Sequence, residues 1–264
     1  MKKLYNFLRK SLYIYISKGI SGLSAQLSYY MLFTFFPMLL FVNTVLGKLL
    51  PHNFRIPLSV VIPQPVRNFA ENYIFETADY SNSKLMFLGI ILTIYSLTRY
   101  IRHFRSNLRS IYEKGRNFPF ITDWIISFLF SISMLLLFYL AVFSVFFTDS
   151  VLSAIGLSSF IGSIWYIFRF FIVALFAFIV ICALNYIECG TGKKFFDFAP
   201  GAFYSVSIWT IVSSIFSYYA GEIADYSVVY GSIGNVIMLL IWLNLTNTIL
   251  LLSSIVNICL NKKP

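Results

Sequence analysis

The residues best placed to do chemistry are four arginines in LTRYIRHFRSNLRSIYE, residues 97–113. If that stretch is helical, Arg102, Arg105 and Arg109 fall within about 60° of one another, with Arg99 one turn earlier on the same side. A cationic stripe of this kind attracts phosphate at about 1 kcal/mol per charge near an anionic surface. It also serves as ordinary positive anchoring at a membrane boundary. A second constellation is Asn244, Asn247 and Ser254, which share a face about 80° wide on an otherwise apolar run. Polar groups in such a run must face protein or water, either as hydrogen bonds between helices or as the wall of a polar pathway. A third is Pro37, in the middle of AQLSYYMLFTFFPMLLF. It frees the carbonyl of Phe33 and makes a candidate hinge.

Groups that would make an enzyme are scattered. His52 and His103 fall on opposite sides of any membrane arrangement, and the carboxylates are divided between the two sides. No Ser–His–Asp set, phosphate-cradling glycine loop or cysteine pair occurs. The expectation is a protein with no catalytic residues, no metal and no cofactor. No deeply buried carboxylate suited to a proton relay is expected either.

The elements that carry these residues follow from composition. Of 264 residues, 59% are hydrophobic and 11% are charged, against roughly 25% charged in a soluble domain. So much apolar surface points to an all-α, polytopic membrane protein forming one domain over residues 1–264. Six apolar runs are long enough to cross a bilayer: 27–47, 85–101, 124–147, about 160–186, 198–221 and about 235–260. Gly156, Ser158, Ser159, Gly162 and Ser163 predict a turn between the third and fourth. With the N-terminus in the cytosol, fifteen of the twenty Lys and Arg fall on the inner side, so both termini are expected inside.

Residues 1–22 should hold an interfacial helix, over 2–18, with Leu4, Leu8, Leu12 and Tyr15 on one side and its cations among headgroups. The apolar run after Lys10 is too short for a secretory signal. Residues 50–84 form a proline-broken outer loop, with an amphipathic segment at 66–74. On the fifth run Ala202, Thr210, Ser213, Ser214, Ser217, Ala220 and Gly221 form a small face suited to close helix packing. Asn185 and Glu188 at the inner end of the fourth run, and Arg169 at its outer end, are weaker pathway candidates.

Four stretches resemble the YihY/BrkB family of bacterial inner-membrane proteins: AQLSYYMLFTFFPMLLF, LTRYIRHFRSNLRSIYE, APGAFYSVSIWTIVSSIFSYY and YGSIGNVIMLLIWLNLTNTILLLSSIVN. The resemblance implies six membrane helices in a bacterial cytoplasmic membrane. Members of that family have been labelled virulence factors, ribonuclease BN and transporters acting on envelope lipids. Two functional expectations follow. One is a transporter or flippase-like protein for an anionic envelope lipid or amphiphile, with membrane lipids as partners and Arg99, Arg102, Arg105, Arg109, Asn244, Asn247 and Ser254 along its pathway. Its structural signature would be a cavity between the first, fifth and sixth runs, opening near Arg102. The other is a scaffold that docks an envelope protein through the outer loop. Nucleic acid is not an expected partner, and ribonuclease activity is not expected.

Overall fold

The structure is a computed structural model that describes residues 2–49, 83–112, 115–155, 159–190, 192–219 and 233–260, with side chains over most of them. Seven α-helices occur among these: α1 (Lys2–Ser17), α2 (Ile20–Leu49), α3 (Ser83–Ile111), α4 (Phe120–Ile155), α5 (Ser159–Glu188), α6 (Ala199–Tyr218) and α7 (Ile233–Leu260). The protein is all-α, as expected. Residues 50–82 of the outer loop, with the segment 66–74, lie outside the described residues, while Ser83 and Lys84 already belong to α3.

Local chemistry sets the helix ends. Gly19 adopts a left-handed φ of 61° and separates α1 from α2, a conformation glycine takes at little steric cost. Gly190, at φ 62°, follows the end of α5 in the same way. A single 3₁₀ turn, Phe195–Phe198, leads into α6, where Asp197 accepts a hydrogen bond from the Lys194 backbone N–H at 2.9 Å. Pro200 occupies the first turn of α6, where its missing N–H costs nothing.

Helices α2 to α7 pack in a closed ring in chain order, with α7 returning to α2. Helices α3, α5 and α7 also touch one another across the ring. The starts of α2, α4 and α6 meet the ends of α3, α5 and α7 at one end of the bundle. Tyr30 stacks on His103 there, Asp123 meets Arg109, and the Gly201 N–H donates to Asn257. Consecutive helices in the ring therefore run in opposite directions. Helix α1 joins the same end, where Lys10 donates to the Ile258 carbonyl at 3.3 Å.

The surface is unlike that of a water-soluble bundle. Phe87, Leu88, Ile91, Ile121, Ile125, Leu129, Phe171, Leu175, Phe203 and Ile211 are exposed. Arg105, Glu188, Asn185, Asn247, Ser127, Ser131, Ser205, Ser253 and Ser254 are fully or almost fully buried. The interior also holds an apolar core that includes Leu27, Ile101, Leu108, Leu184 and Leu251. An apolar outer band with the buried polar groups hydrogen-bonded inside is what lipid demands, because lipid satisfies no polar group. Among the described residues, Phe120–Phe138, Phe170–Glu188, Phe195–Tyr218 and Gly234–Leu260 are long and apolar enough to span a membrane.

Three expectations are corrected. The turn expected around 150–168 is narrower, because α5 already begins at Ser159 and carries Gly162 and Ser163 inside it. Flanking Phe160, Ile161, Ile164 and Trp165 keep the segment apolar, and glycine is common in membrane helices. Helix α1 turns Phe7, Ser11, Ile14 and Tyr15 towards the bundle, whereas Leu8 and Leu12 are exposed beside Tyr5 and Ile16. The small face of α6 is only partly inward. Gly201, Ala202, Ser205 and Ser213 are buried, while Thr210 and Ser214 are exposed.

Candidate functional site

Helix α3 changes character along one face. Leu88, Ile91, Tyr95, Arg99, Arg102, Ser106 and Arg109 fall within about 80° of one another. Leu88, Ile91 and Tyr95 are exposed and apolar or amphipathic, and from Arg99 onward the same face is cationic. The cationic half forms one wall of a groove. Tyr95, Arg99, Arg102, His103, Ser106 and Arg109 line it from α3, Asp123 and Trp124 line it from α4, and its volume is about 500 Å³.

Behind the groove lies a buried ion cluster. Arg105 is fully buried, although it sits on the stripe that the spacing placed at the surface. Its Nε donates to Glu188 Oε1 at 2.5 Å, and its Nη1 donates to the Asp123 carbonyl and to Ser127 Oγ, each at 2.8 Å. Its Nη2 has no partner among the described residues. Arg109 Nη1 donates to Asp123 Oδ1 at 2.8 Å and to Glu188 Oε2 at 3.0 Å. Arg102 Nε donates to Asp123 Oδ2 at 3.2 Å, and its guanidinium lies over the rings of Phe120 and Trp124 at 4.9 and 5.0 Å. Three arginines thus share two carboxylates, leaving one net positive charge, and Arg99 adds a second. Buried charges persist only when paired and hydrogen-bonded in this way.

His103 stacks on Tyr30 at 4.0 Å, and the Arg99 guanidinium lies 5.7 Å from the centre of that same ring. Partial burial, then the positive charges of Arg99 and Arg102, hold the imidazole below its ordinary pKa. The groove therefore presents arginine N–H donors, a neutral imidazole and the Ser106 hydroxyl. Such a set suits recognition of phosphate or another anion. Among the described residues no three His, Cys, Asp or Glu side chains group closely enough to hold a metal ion.

The other candidates lie deeper in the bundle. Asn247 is buried, accepts from Tyr100 Oη at 2.7 Å and donates to Ser28 Oγ at 3.4 Å, which ties α7 to α3 and α2. Ser254 is buried and donates to the Leu251 carbonyl at 2.7 Å. Asn244 is half-buried. Asn185 accepts from Tyr112 Oη at 2.7 Å and donates to Ser253 Oγ at 3.0 Å. Pro37 lies within an uninterrupted α2. The side chain of Arg169 is outside the described set.

The match to known proteins decides the family. The model of the family described as Virulence factor BrkB matches residues 12–264. The chain belongs to the BrkB family. A relative from Bacillus subtilis (strain 168), named ribonuclease-like protein YfkH, is 29% identical over 247 residues, covering 91% of this chain and 90% of that protein. No solved structure matches. This BrkB-family chain is a helical membrane protein, and the family match spans both the groove and the ion cluster.

Two expectations about the site are corrected in this BrkB-family protein. Asp123 and Glu188 are not dispersed; they converge on Arg105 and are both buried. The space between α2, α6 and α7, where a cavity was expected, is filled by Met31, Phe35, Trp209, Phe216, Leu239 and Trp242. The groove lies instead between α3 and α4. Residue spacing alone missed Asp123, Ser127 and Trp124, and gave Glu188 only as a weaker pathway candidate, not as the partner of Arg105. The available signal was an acidic residue in the first turn of one apolar helix and another in the last turn of the next, both beside the arginine stripe.

Proposed function

We propose that this protein is a non-catalytic transporter or flippase-like protein of the bacterial cytoplasmic membrane that moves an anionic envelope lipid or similar amphiphile. In this reading α2 to α7 all cross the bilayer, and the end that carries the groove, the N-terminus and the C-terminus faces the cytosol. The concentration of Lys and Arg at that end supports the orientation.

One observation carries the reading: a single face of α3 is apolar from Leu88 to Tyr95 and cationic from Arg99 to Arg109, and its cationic half opens into the groove. A headgroup would accept hydrogen bonds from Arg99, Arg102 and Arg109. Tyr95 and Trp124 would sit at headgroup depth, where amphipathic rings belong. Acyl chains would lie against Leu88 and Ile91. Arg105 and Glu188 would hold α3 to α5 and position the donors, without contacting the ligand. Docking of an envelope protein through the outer loop rests on residues 50–82, outside those described.

The test is translocation of an acyl-labelled anionic lipid in proteoliposomes. Wild type should move the lipid across the bilayer, and the Arg99→Gln/Arg102→Gln double variant should lose most of that rate while still inserting. Equal rates for the two proteins would refute the reading.

A further inference from the structure

The groove already contains an anion, supplied by the protein. The Asp123 carboxylate accepts from Arg102 and Arg109 and faces the cavity, whereas Glu188 does not line it. Exposure of the side chains grades the same way. It is 34% for Arg102, 19% for Arg109 and 9% for Asp123, but 0% for both Arg105 and Glu188. Arg105 Nη1 lies 3.2 Å from Asp123 Oδ1, but its hydrogen bonds go elsewhere. Glu188, the Asp123 main-chain carbonyl and Ser127 hold it. Arg109 keeps Glu188 Oε2 as a second partner. Moving the Asp123 side chain would leave the inner pair intact and free donors on Arg102 and Arg109, facing the groove.

We propose that Asp123 is a displaceable occupant of the groove. A phosphate group enters by taking the place of its carboxylate on Arg102 and Arg109, and the carboxylate returns when the ligand leaves. The proposal rests on the groove reading above and adds the means of release. Arginine pairs strongly with phosphate, and a site with no competitor would hold its ligand too tightly to turn over. Three cations, Arg99, Arg102 and Arg109, face the ligand once the carboxylate withdraws, which favours phosphate over a neutral or zwitterionic headgroup.

The test measures binding of dihexanoyl phosphatidate, dihexanoyl phosphatidylcholine and inorganic phosphate to the full chain in detergent. Asp123→Asn and Asp123→Ser, the latter keeping an oxygen suited to a helix start, should each bind phosphatidate about tenfold tighter than wild type. Asp197→Asn makes the same change in net charge near the start of α6 and should leave affinity unchanged. No tightening in either Asp123 variant, or equal tightening in Asp197→Asn, overturns the exchange. Loss of wild-type binding in Arg102→Gln is expected; full retention there removes the groove reading itself. Phosphatidylcholine binding as tightly as phosphatidate also overturns the proposal. Inorganic phosphate binding as tightly as phosphatidate, with the same response to Asp123→Asn, supports exchange but assigns the site to free phosphate rather than a lipid. Wild type also provides a test that needs no change at Asp123. Phosphatidate should change the Trp124 emission, taken as the difference from Trp124→Phe, because Arg102 lies over that ring and must re-pair. An unchanged emission with ligand bound contradicts displacement.

Discussion

Arg105 and Glu188, separated by 83 residues, form a hydrogen-bonded ion pair at 2.5 Å in which neither side chain is exposed. The pair joins α3 to α5 and fixes the rotation of α3, which in turn points Arg99, Arg102 and Arg109 at the groove. Glu188→Gln removes the charge opposite a buried guanidinium and should cost about 3–5 kcal/mol. Arg105→Lys should not rescue folding, because the site uses Nε and Nη1 together and one ammonium cannot span the same partners. Thermal melting in detergent measures both; wild-type melting of either variant would contradict the role.

Gly201→Ala should destabilise the α6–α7 contact by about 1–3 kcal/mol. A Cβ there would clash with the Ser253 carbonyl and the Asn257 amide, while the Gly201 N–H donates to Asn257 Oδ1 at 2.9 Å. Ala202 beside it is already buried, so Ala202→Gly provides a control for small-residue substitution. A melting curve for Gly201→Ala that overlays wild type would show that the two backbones can separate freely.

His103 should make the fold more sensitive to acid. Its pKa is held below the ordinary 6.5 by partial burial and by Arg99 and Arg102. As pH falls through that ordinary value the unfolded chain takes up the proton first, so stability declines with acidification until the folded-state pKa is reached. Above that window the residue contributes nothing. The melting temperature of wild type should drop more between pH 7.5 and 5.5 than that of His103→Gln. Equal drops would place the imidazole in an unperturbed environment.

Ser106 is exposed on the groove, and Cys182, Cys189 and Cys259 are buried. Ser106→Cys should therefore react with a membrane-impermeant maleimide only when the cytosolic face is accessible, as in inverted vesicles. Labelling in intact spheroplasts would reverse the proposed orientation.

Much of this arrangement was legible in the residues. Helical spacing located the arginine stripe, and length and hydropathy located the helices that carry it. What spacing on one helix cannot express is its rotation against its neighbours. Arg102, Arg105 and Arg109 share a face about 60° wide, yet Arg105 points at α5 while Arg102 and Arg109 border the groove. Asp123 and Glu188 each look like an isolated end-of-helix carboxylate until the ring brings α4 and α5 to the same end of α3. The inward face of α1 is hidden from spacing for a related reason. Spacing groups Leu8 and Leu12 with Tyr15, but contacts of Ser11 and Lys10 with α7 set the rotation. Asn247 was legible as polar in an apolar run, and its partner Tyr100 was not, because a tyrosine near a helix end reads as an interfacial ring.

Transport by this bundle depends most on where an anionic amphiphile rests on it. Photo-crosslinking with a phosphatidate bearing a diazirine beside its headgroup, followed by peptide mapping, measures this directly. Adducts should fall on residues 95–109 and 118–124 and be reduced in Arg102→Gln. Adducts confined to α6 and α7, or unaffected by Arg102→Gln, would contradict the α3–α4 groove as the binding site.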